Sequence, residues 1–200
     1  MGVKYPITRK FAKSWQHHIT RYAFALPYCY RKKVMDAGCQ MGWGGQLLSY
    51  VANSVTYVDI SEDWLGTAET LRNFCPADFI LMDFEKDFPD KNIYKQDTDP
   101  QVPGWDTVVA FEVIEHLENP HVFLKGVSEN LIPGGQLVFS VPDMVANHEH
   151  KHVYNSETIK SLIGQYFNIQ EFYEQVRNPI TEKPLYKNLK CYVGVAVCKK

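Results

Sequence analysis

The sequence lacks a strong excess of charge of either sign. Its 200 residues carry 21 basic and 23 acidic side chains, a formal net charge of −2. This balance provides no general electrostatic attraction to nucleic acid or to an anionic membrane. The composition therefore argues against a nucleic-acid partner, although a local basic patch would not show in the total.

Cysteine pairs and long apolar runs are also missing. The five cysteines form no Cys-x-x-Cys pair, so neither a disulfide framework nor a zinc knuckle is indicated. No segment approaches the roughly 18 apolar residues of a membrane-spanning helix, and the first residues contain no apolar stretch of the signal-peptide kind. We therefore expect a cytoplasmic protein without a membrane span.

The chain does have enough residues, 200, for one domain with a full core. Its hydrophobic fraction of 45% indicates a folded globular protein. Short apolar segments alternate with helical patterns, which predicts parallel strands covered by helices on both faces. The predicted strands cover residues 34–37, 55–59, 78–82, 107–111 and 136–141. The predicted helices cover residues 45–51, 62–73, 120–130 and 156–165.

The two ends of the chain have their own character. Residues 1–33 predict an N-terminal helical cap whose helix ends at Pro27. Residues 167–175 and 190–198 predict two antiparallel strands at the sheet edge. The connection over 85–105 contains three prolines, and its length is typical of a lid or a disordered insert.

A glycine-rich turn follows the first predicted strand and opens a helix. Gly38 allows a sharp turn and Gly42 allows the helix to pack closely, so the backbone can approach a nucleotide-like ligand. Asp59 ends the next strand and is placed to accept hydrogen bonds from ribose hydroxyls. Asp83 ends the third strand and is placed to contact an adenine amine, with Phe84 stacking nearby. Because ligands of open α/β sheets bind where parallel strands end, these acids indicate one site.

These motifs together resemble the class I S-adenosylmethionine-dependent methyltransferases, most closely over residues 34–141. The family motif is Asp-x-Gly-x-Gly-x-Gly after a strand, and this chain has Asp36, Gly38 and Gly42 but Gln40 at the middle glycine. That departure requires a tolerated backbone angle at Gln40 or a reshaped turn. The segment Phe111-Glu-Val-Ile-Glu-His-Leu is similar to the fourth-strand motif of the ubiquinone-biosynthesis O-methyltransferases.

The resemblance implies an α/β fold with a single doubly wound, Rossmann-like sheet of seven strands. The sheet is expected to be mostly parallel, with an antiparallel C-terminal strand and helices on both faces. Residues 1–33 would cap the S-adenosylmethionine-binding domain over 34–200, the two forming one structural domain. The residues expected at the cofactor are Asp36, Gly38, Cys39, Gln40, Gly42, Asp59, Ile60, Asp83, Phe84 and Phe111.

A cluster of acids and histidines follows the fourth strand. If a helix starts near residue 112, offsets of three and four residues place Glu112, Glu115 and His116 on one face. With His150, or with His148 or His152 of the same loop, they could bind Mg²⁺, Mn²⁺ or Zn²⁺. His116, His150 and Glu112 are also the candidates for catalysis, with a histidine as general base. The ordinary alternative is that Glu112 borders the cofactor, Glu115 is solvated and His116 packs.

The expected function is methyl transfer from S-adenosylmethionine to an oxygen or nitrogen of a small metabolite or sugar. Three alternatives remain. The Glu-x-x-Glu-His cluster with a later histidine is also similar to the small-RNA 3′-terminal 2′-O-methyltransferases, which use a metal. A nicotinamide-dependent oxidoreductase would need Gly-x-Gly-x-x-Gly, which this turn does not complete. Finally, Gln40 leaves room for a catalytically silent binding or scaffold subunit.

Overall fold

The computed structural model describes residues 9–86, 88, 104–143, 148–175, 180–181 and 191–199. Within these residues the helices are α1 (Arg9–Cys29), α2 (Trp43–Leu48), α3 (Glu62–Glu69), α4 (Pro120–Asn130) and α5 (Ser156–Ile163). A 3-10 helix covers Ile114–His116. The strands are β1 (Lys33–Ala37), β2 (Ser54–Asp59), β3 (Ala77–Leu81), β4 (Trp105–Phe111), β5 (Leu131–Val141), β6 (Phe167–Gln175), β7 (Ile180–Thr181) and β8 (Cys191–Cys198).

The strands form one mixed sheet in the order β3-β2-β1-β4-β5-β8-β6-β7. Strands β1 to β5 pair in parallel, and β8 pairs antiparallel with both β5 and β6. The predicted fold class is confirmed. The last strand, β8, lies between β5 and β6. The two-residue β7 pairs with β6 and forms the edge of the sheet.

Helix boundaries follow local capping chemistry. Helix α3 begins where the Ser61 side chain accepts from the backbone N–H of Trp64, and α4 begins with Pro120 after the Asn119 cap. Helix α5 begins with a reciprocal capping box between Asn155 and Thr158.

Four predicted helices differ from the observed ones at their ends. Helix α2 spans Trp43–Leu48 rather than 45–51, and α5 ends at Ile163 rather than at 165. Helix α3 ends at Glu69, four residues before its predicted end. Helix α1 does not end at Pro27, as predicted, but continues to Cys29. Proline removes only its own N–H donor, so the residues beyond it can still complete the last turn.

The core lies on both faces of the sheet. On one face, α1 and α2 pack residues such as Ala25 and Leu48 against Tyr57 and Val109, all fully buried. On the other face, α4 and α5 bury Phe123 and Ile159 beside strands β4 and β5. Adjacent strand residues point to opposite faces of the sheet, and both faces are covered by packed helices. Consecutive strand positions are therefore nearly all apolar.

Some expectations concern segments that the structure describes only in part. The predicted lid over 85–105 lies largely outside the described residues, as do residues 144–147 of the histidine-rich loop. The division at residue 33 into a cap and a binding domain stays a prediction. Among the described residues, no helix is long and apolar enough to cross a membrane. All five cysteines are free thiols.

Candidate functional site

A cavity of about 420 Å³ opens where the parallel strands β1, β2, β3 and β4 end. This size is in the range of small-molecule and cofactor sites. Its lining residues are Gly38, Gln40, Asp59, Ile60, Trp64, Met82, Asp83, Phe84, Glu85, Glu112, Val113, His116, Leu117 and Glu149.

The glycine-rich turn forms the β1 side of this cavity. Gly38 has a φ of 70°, and a Cβ there would lie 2.6 Å from a methyl carbon of Val113. Gln40 has a φ of 48°, in the left-handed region that glycine usually occupies. Of the two expected outcomes, a tolerated backbone angle at Gln40 or a reshaped turn, the structure shows the first.

The carboxylate of Asp59 is anchored by the backbone. Its Oδ2 accepts from the N–H of Gln40 at 2.8 Å, and its Oδ1 accepts from the N–H of Ser61 at 2.9 Å. Asp59 is only 4% exposed, yet it borders the cavity. Each oxygen retains a second lone pair, so the carboxylate can still accept a hydroxyl donor from a ligand.

Asp83 is held in a similar local way beyond β3. Its oxygens contact the Lys86 ammonium at 2.8 Å and the backbone N–H of Glu85 at 3.0 Å. The Lys86 contact, followed by that N–H, lowers the pKa of Asp83. Phe84 beside it is buried and packs edge-on against Phe123, with ring centroids 4.9 Å apart. An aromatic ring and an acid thus border the β3 side of the cavity.

Asp36 lies behind the turn rather than on the cavity wall. It is fully buried, and its Oδ1 accepts from the hydroxyl of Tyr22 at 2.9 Å. Its Oδ2 has no hydrogen-bond partner among the described residues. Burial raises the pKa of Asp36 to about 7. The ring of Tyr22 also fills the space that a Cβ on Gly44 would need, so Asp36 and Tyr22 brace the turn from α1.

Glu112 follows β4 with a φ of 57°, an uncommon angle for a residue with a side chain. Its Oε1 accepts from Ser140 Oγ at 3.1 Å and from Cys191 Sγ at 3.3 Å. The guanidinium of the buried Arg21 lies 3.5 Å from the same oxygen. Three segments distant in sequence therefore converge on one atom of this side chain.

The 3-10 helix after Glu112 is joined to the histidine-rich loop. The carbonyl of Glu115 accepts from the N–H groups of Lys151 and His152, at 2.8 and 3.2 Å. His116 Nδ1 lies 3.1 Å from the Glu149 carbonyl, which can only accept, so Nδ1 carries a proton and Nε2 is the acceptor of the neutral ring. The tautomer of His116 is thus fixed by the loop.

This junction brings three potential metal ligands together. Ligand atoms of Glu115, His116 and His150 all lie within 4.8 Å of one another. Glu115 is fully buried, and neither of its oxygens has a hydrogen-bond partner among the described residues. Burial, followed by repulsion from Glu112, raises the pKa of Glu115 to about 9.

The expectation that a helix starting near 112 would align three ligands is wrong. Regular structure begins at Ile114 as a 3-10 helix, and Glu112 stands before it in a left-handed conformation. Glu112 is held by Ser140 and Cys191 and is not part of the cluster around Glu115. Glu115, expected as a ligand or a solvated acid, is fully buried.

The other site residues named from the sequence fall into two groups. Those that line the cavity are Gly38, Gln40, Asp59, Ile60, Asp83, Phe84, Glu112 and His116. Those that lie behind or beside it are Asp36, Cys39, Gly42, Phe111, Glu115 and His150. The cavity wall also includes residues that the sequence analysis missed, among them Trp64, Met82, Leu117 and Glu149. Trp64 lies in the first turn of α3, the helix that follows β2, and that position could have identified it.

A model of the family described as "Methyltransferase domain" matches residues 8–178 of this chain. One relative is a probable S-adenosylmethionine-dependent methyltransferase of Mycobacterium tuberculosis, 26% identical over 159 residues, or 74% of this chain and 53% of the relative. Another is the ubiquinone biosynthesis O-methyltransferase of Dechloromonas aromatica, 28% identical over 110 residues, or 54% of this chain and 44% of the relative. The chain spans about half the length of these curated relatives.

A solved structure with the same fold is the N-methyltransferase NodS of Bradyrhizobium japonicum in complex with S-adenosylhomocysteine. It aligns with a TM-score of 0.67 at 17% identity, covering 94% of this chain and 88% of that protein. The match of the family model over most of the chain confirms the resemblance carried by the glycine turn, the strand-end acids and the Glu-x-x-Glu-His segment. The chain therefore belongs to the methyltransferase domain family.

Proposed function

We propose that the chain transfers the methyl group of S-adenosylmethionine to an oxygen or nitrogen of a small metabolite or sugar. The observation that carries this proposal is the cavity at the ends of β1 to β4, with Asp59 beside the glycine turn and Asp83 beyond it. The names of the M. tuberculosis relative and the ligand of the NodS structure support the choice of cofactor.

The lining indicates how the cofactor would lie. Apolar and aromatic side chains at the β3 side, including Ile60, Trp64 and Phe84, suit an adenine ring. Asp59 at the end of β2 suits the ribose hydroxyls. Since β1 and β4 follow β2 in the sheet, the sulfonium and the amino-acid end would extend toward Gly38 and Glu112. The reactive methyl group would then face the region of His116.

Cofactor binding can be tested without knowing the acceptor. We expect S-adenosylmethionine and S-adenosylhomocysteine to raise the melting temperature of the full chain, while NAD does not. Calorimetry should then give a saturable one-to-one isotherm for each of the two. Stabilisation by NAD alone would contradict the proposal and favour an oxidoreductase.

For the transfer itself, the acceptor must stand about 3 Å from the activated methyl group in a site from which water is excluded. A hydroxyl acceptor also needs a group that removes its proton. We assign this role to His116, whose Nε2 is an acceptor and which lines the cavity, with His150 near it at a ring-centroid distance of 4.9 Å. Glu112 completes the candidate catalytic set.

Transfer is tested by incubating the full chain with radiolabelled S-adenosylmethionine and fractions of a metabolite extract. We expect label in a small-molecule fraction, and a loss of about 10²-fold in rate for His116→Ala, the lower end of general-base contributions. A His121→Ala variant is the matched control, because His121 lies on α4 and contacts Tyr166 instead. Cofactor binding with no transfer to any fraction would favour the silent binding subunit.

A second candidate is metal-assisted transfer to a hydroxyl, including the 2′-hydroxyl at an RNA 3′ end. The specific observation in its favour is the group of Glu115, His116 and His150, in which a buried carboxylate lacks a partner among the described residues. One acid and two imidazoles suit Zn²⁺ or Mn²⁺. The hydrogen bond from His116 Nδ1–H to the Glu149 carbonyl is a typical supporting contact for a metal-binding histidine.

Metal binding is tested by titrating the chelator-treated protein with Zn²⁺ and with Mn²⁺. We expect one equivalent to bind, and Glu115→Ala to abolish binding, whereas Glu118→Ala, an exposed acid beside the same loop, should not. Methyl transfer that survives exhaustive chelation would remove this candidate. Label appearing in short RNA with free 3′ hydroxyls, but not in metabolites, would make the nucleic acid the acceptor.

A further inference from the structure

The sheet ends differently at its two edges. Beyond β6 the edge strand is β7, with two residues, whereas the edge strand β3 has five residues and pairs with β2 alone among the described strands. A strand at a sheet edge presents a row of backbone donors and acceptors to which another chain can add a strand. The β3 edge is therefore a candidate interaction surface.

The backbone contacts at the two ends of β3 show which residues face outward. The carbonyl of Pro76 accepts from the N–H of Val55. The N–H of Met82 donates to the carbonyl of Asp59. Even-numbered residues of this strand thus bond to β2, and the direction of the backbone groups alternates along a strand. The residues whose N–H and C=O groups point away from the sheet are therefore Ala77, Phe79 and Leu81. No backbone group in the described part of the chain hydrogen-bonds to them from that side.

The features that usually protect an edge strand are missing from β3. Its sequence contains no lysine or arginine, and its pairing with β2 runs without a bulge. Pro76 precedes the strand, but its backbone faces β2, so this proline removes no outward donor. The outer edge of β3 is thus open to strand addition.

Exposed apolar side chains lie at both ends of this edge. Leu81 and Ile60, at the ends of β3 and β2, are 55% and 66% exposed. Before β3, the half-exposed ring of Phe74 stacks on that of Tyr50 at a centroid distance of 3.9 Å. Apolar surface of this kind is stabilised when another protein covers it. A second copy in antiparallel orientation would set one of these apolar ends against the other.

The charges that flank β3 also favour a second copy in antiparallel orientation. Arg72 lies before the strand, with its guanidinium carbon 5.3 Å from the ring centroid of Phe74. Asp83 and Glu85 follow the strand, and Lys86 contacts Asp83 there. Antiparallel pairing brings the basic flank of each copy to the acidic flank of the other, which parallel pairing does not do.

The described ends of the connection from β3 to β4 lead away from this edge. The ring of Phe88 packs against Phe123 and fills the space that a Cβ on Gly126 of α4 would need. Gly104, at the other end, lies against Ile132 at the start of β5. Both ends therefore contact the part of the molecule that carries β4 and β5, and β3 lies at the far side of the sheet.

We propose that two copies of this chain form a two-fold symmetric dimer in which their β3 strands pair antiparallel, centred on Phe79. In that register Phe79 faces Phe79 of the second copy, and Ala77 faces Leu81. Each of these residues exchanges an N–H and a C=O hydrogen bond with the residue opposite, because its backbone groups point outward. The sheets of the two copies thereby join into one. The dimer requires no particular cofactor or acceptor, so it is independent of the proposed function.

Self-association is measured by sedimentation velocity of the full chain over a wide range of concentrations. We expect a concentration-dependent equilibrium between monomer and dimer. Leu81→Lys should weaken it about tenfold or more, because it places a charge on the apolar edge. The matched control is Val122→Lys, at an exposed position of α4, which should leave the equilibrium unchanged. Asp78→Asn should tighten the dimer about twofold, because the two Asp78 carboxylates lie at diagonal positions of the pair.

Disulfide cross-linking tests the register. The background is Cys75→Ser, since the other four cysteines are buried. Ala77→Cys combined with Leu81→Cys should give a covalent dimer with oxidised glutathione, because hydrogen-bonded antiparallel neighbours have Cα atoms about 5.5 Å apart. Either substitution alone should give none, because its two copies lie about 13 Å apart along the paired strands.

A chain that stays monomeric at every concentration would overturn the proposal. Amide hydrogen exchange at Ala77, Phe79 and Leu81 would then show what covers the edge. Slow exchange would indicate a segment of the same chain, and fast exchange would leave the edge open to a strand of another protein. A dimer that is insensitive to Leu81→Lys and forms no cross-link in the double variant would also overturn it. A dimer of a chain that binds no S-adenosylmethionine would uphold this inference while the proposed function fails.

Discussion

The two sides of the cavity are built by different means. At the β1–β3 side, Asp59 and Asp83 take their hydrogen bonds from residues within about twenty positions, mostly from backbone N–H groups. At the β4 side, Glu112 takes its hydrogen bonds from side chains 28 and 79 residues away. Glu115 has no partner at either oxygen among the described residues.

Local chain geometry is thus sufficient to satisfy some of the acids at the cavity but not others. An acid that directly follows a strand can be satisfied by the N–H groups of the turn that it enters, because that turn exposes unpaired donors. An acid buried beyond such a turn needs tertiary partners or a ligand, since an unpaired buried carboxylate is costly. Asp59 and Asp83 are therefore satisfied locally, whereas the β4 side depends on α1, β5, β8 and the loop at 148–152.

The largest expected effect concerns Asp36, the acid at the β1–β3 side whose described partner is a side chain of α1, the Tyr22 hydroxyl, rather than a backbone N–H group of the turn. Its folded-state pKa of about 7 lies above its ordinary 3.8, so the folded chain binds this proton more tightly than the unfolded chain. The resulting stability is fully present below pH 3.8 and is lost as pH rises through 7, about 4 kcal/mol in all. Urea unfolding between pH 4 and 8 should show this decline, and Asp36→Asn should flatten it.

The control for Asp36 is Asp63→Asn, an exposed acid of α3 whose stability curve should run parallel to that of the wild-type chain. The difference between wild type and Asp36→Asn isolates this one group from the others that titrate in the same range. Parallel curves for Asp36→Asn as well would show that Asp36 carries no raised pKa.

The second prediction compares two glycines in helices. A Cβ on Gly44 would overlap the ring of Tyr22, whereas a Cβ on Gly66 would meet nothing within 4 Å. We expect Gly44→Ala to lower the free energy of unfolding by about 1–3 kcal/mol through overpacking. Gly66→Ala should instead raise it by up to about 1 kcal/mol, because alanine favours the helix. Denaturant unfolding measures both, and an equally stable Gly44→Ala would contradict the brace between α1 and the turn.

The third prediction tests whether the β1–β3 side holds the cofactor. Asp59→Ala should weaken binding of S-adenosylmethionine by more than ~1.5 kcal/mol, since it removes a charge-assisted acceptor from the ribose hydroxyls. Asp63→Ala, four residues further on, should bind normally. Calorimetry with unchanged affinity for Asp59→Ala would exclude the ribose role, provided that thermal unfolding shows the variant folded.

The smallest effect on stability is expected at α5, away from both sides of the cavity. The side chain of Asn155 caps α5 by accepting from the N–H groups of Glu157 and Thr158. Asn155→Ala should therefore cost about 1 kcal/mol in the free energy of unfolding and leave the affinity for S-adenosylhomocysteine unchanged. A matching loss of affinity would mean that the scaffold beyond β5 is coupled to the cofactor site.

Much of this protein was determined by its sequence alone. The alternation of apolar strands with helices, the turn from Asp36 to Gly42 and the acid that ends β2 follow from short-range patterns, because strand period, turn angles and capping are local properties. Helix α4 and strand β6 have the predicted bounds. Of the two outcomes expected at Gln40, a tolerated backbone angle or a reshaped turn, the structure has the left-handed angle.

The arrangement at the β4 side of the site depends on contacts between segments that are far apart in the sequence. The sequence suggested that Glu112, Glu115 and His116 share a helix face, but the chain turns left-handed at Glu112 and separates it from the other two. Nothing local links Arg21 to Gln175 or to Cys191, because these residues meet only when α1, β6 and β8 pack together. Long-range packing brings Ser140 and Cys191 to one oxygen of Glu112, and no short-range pattern encodes that contact.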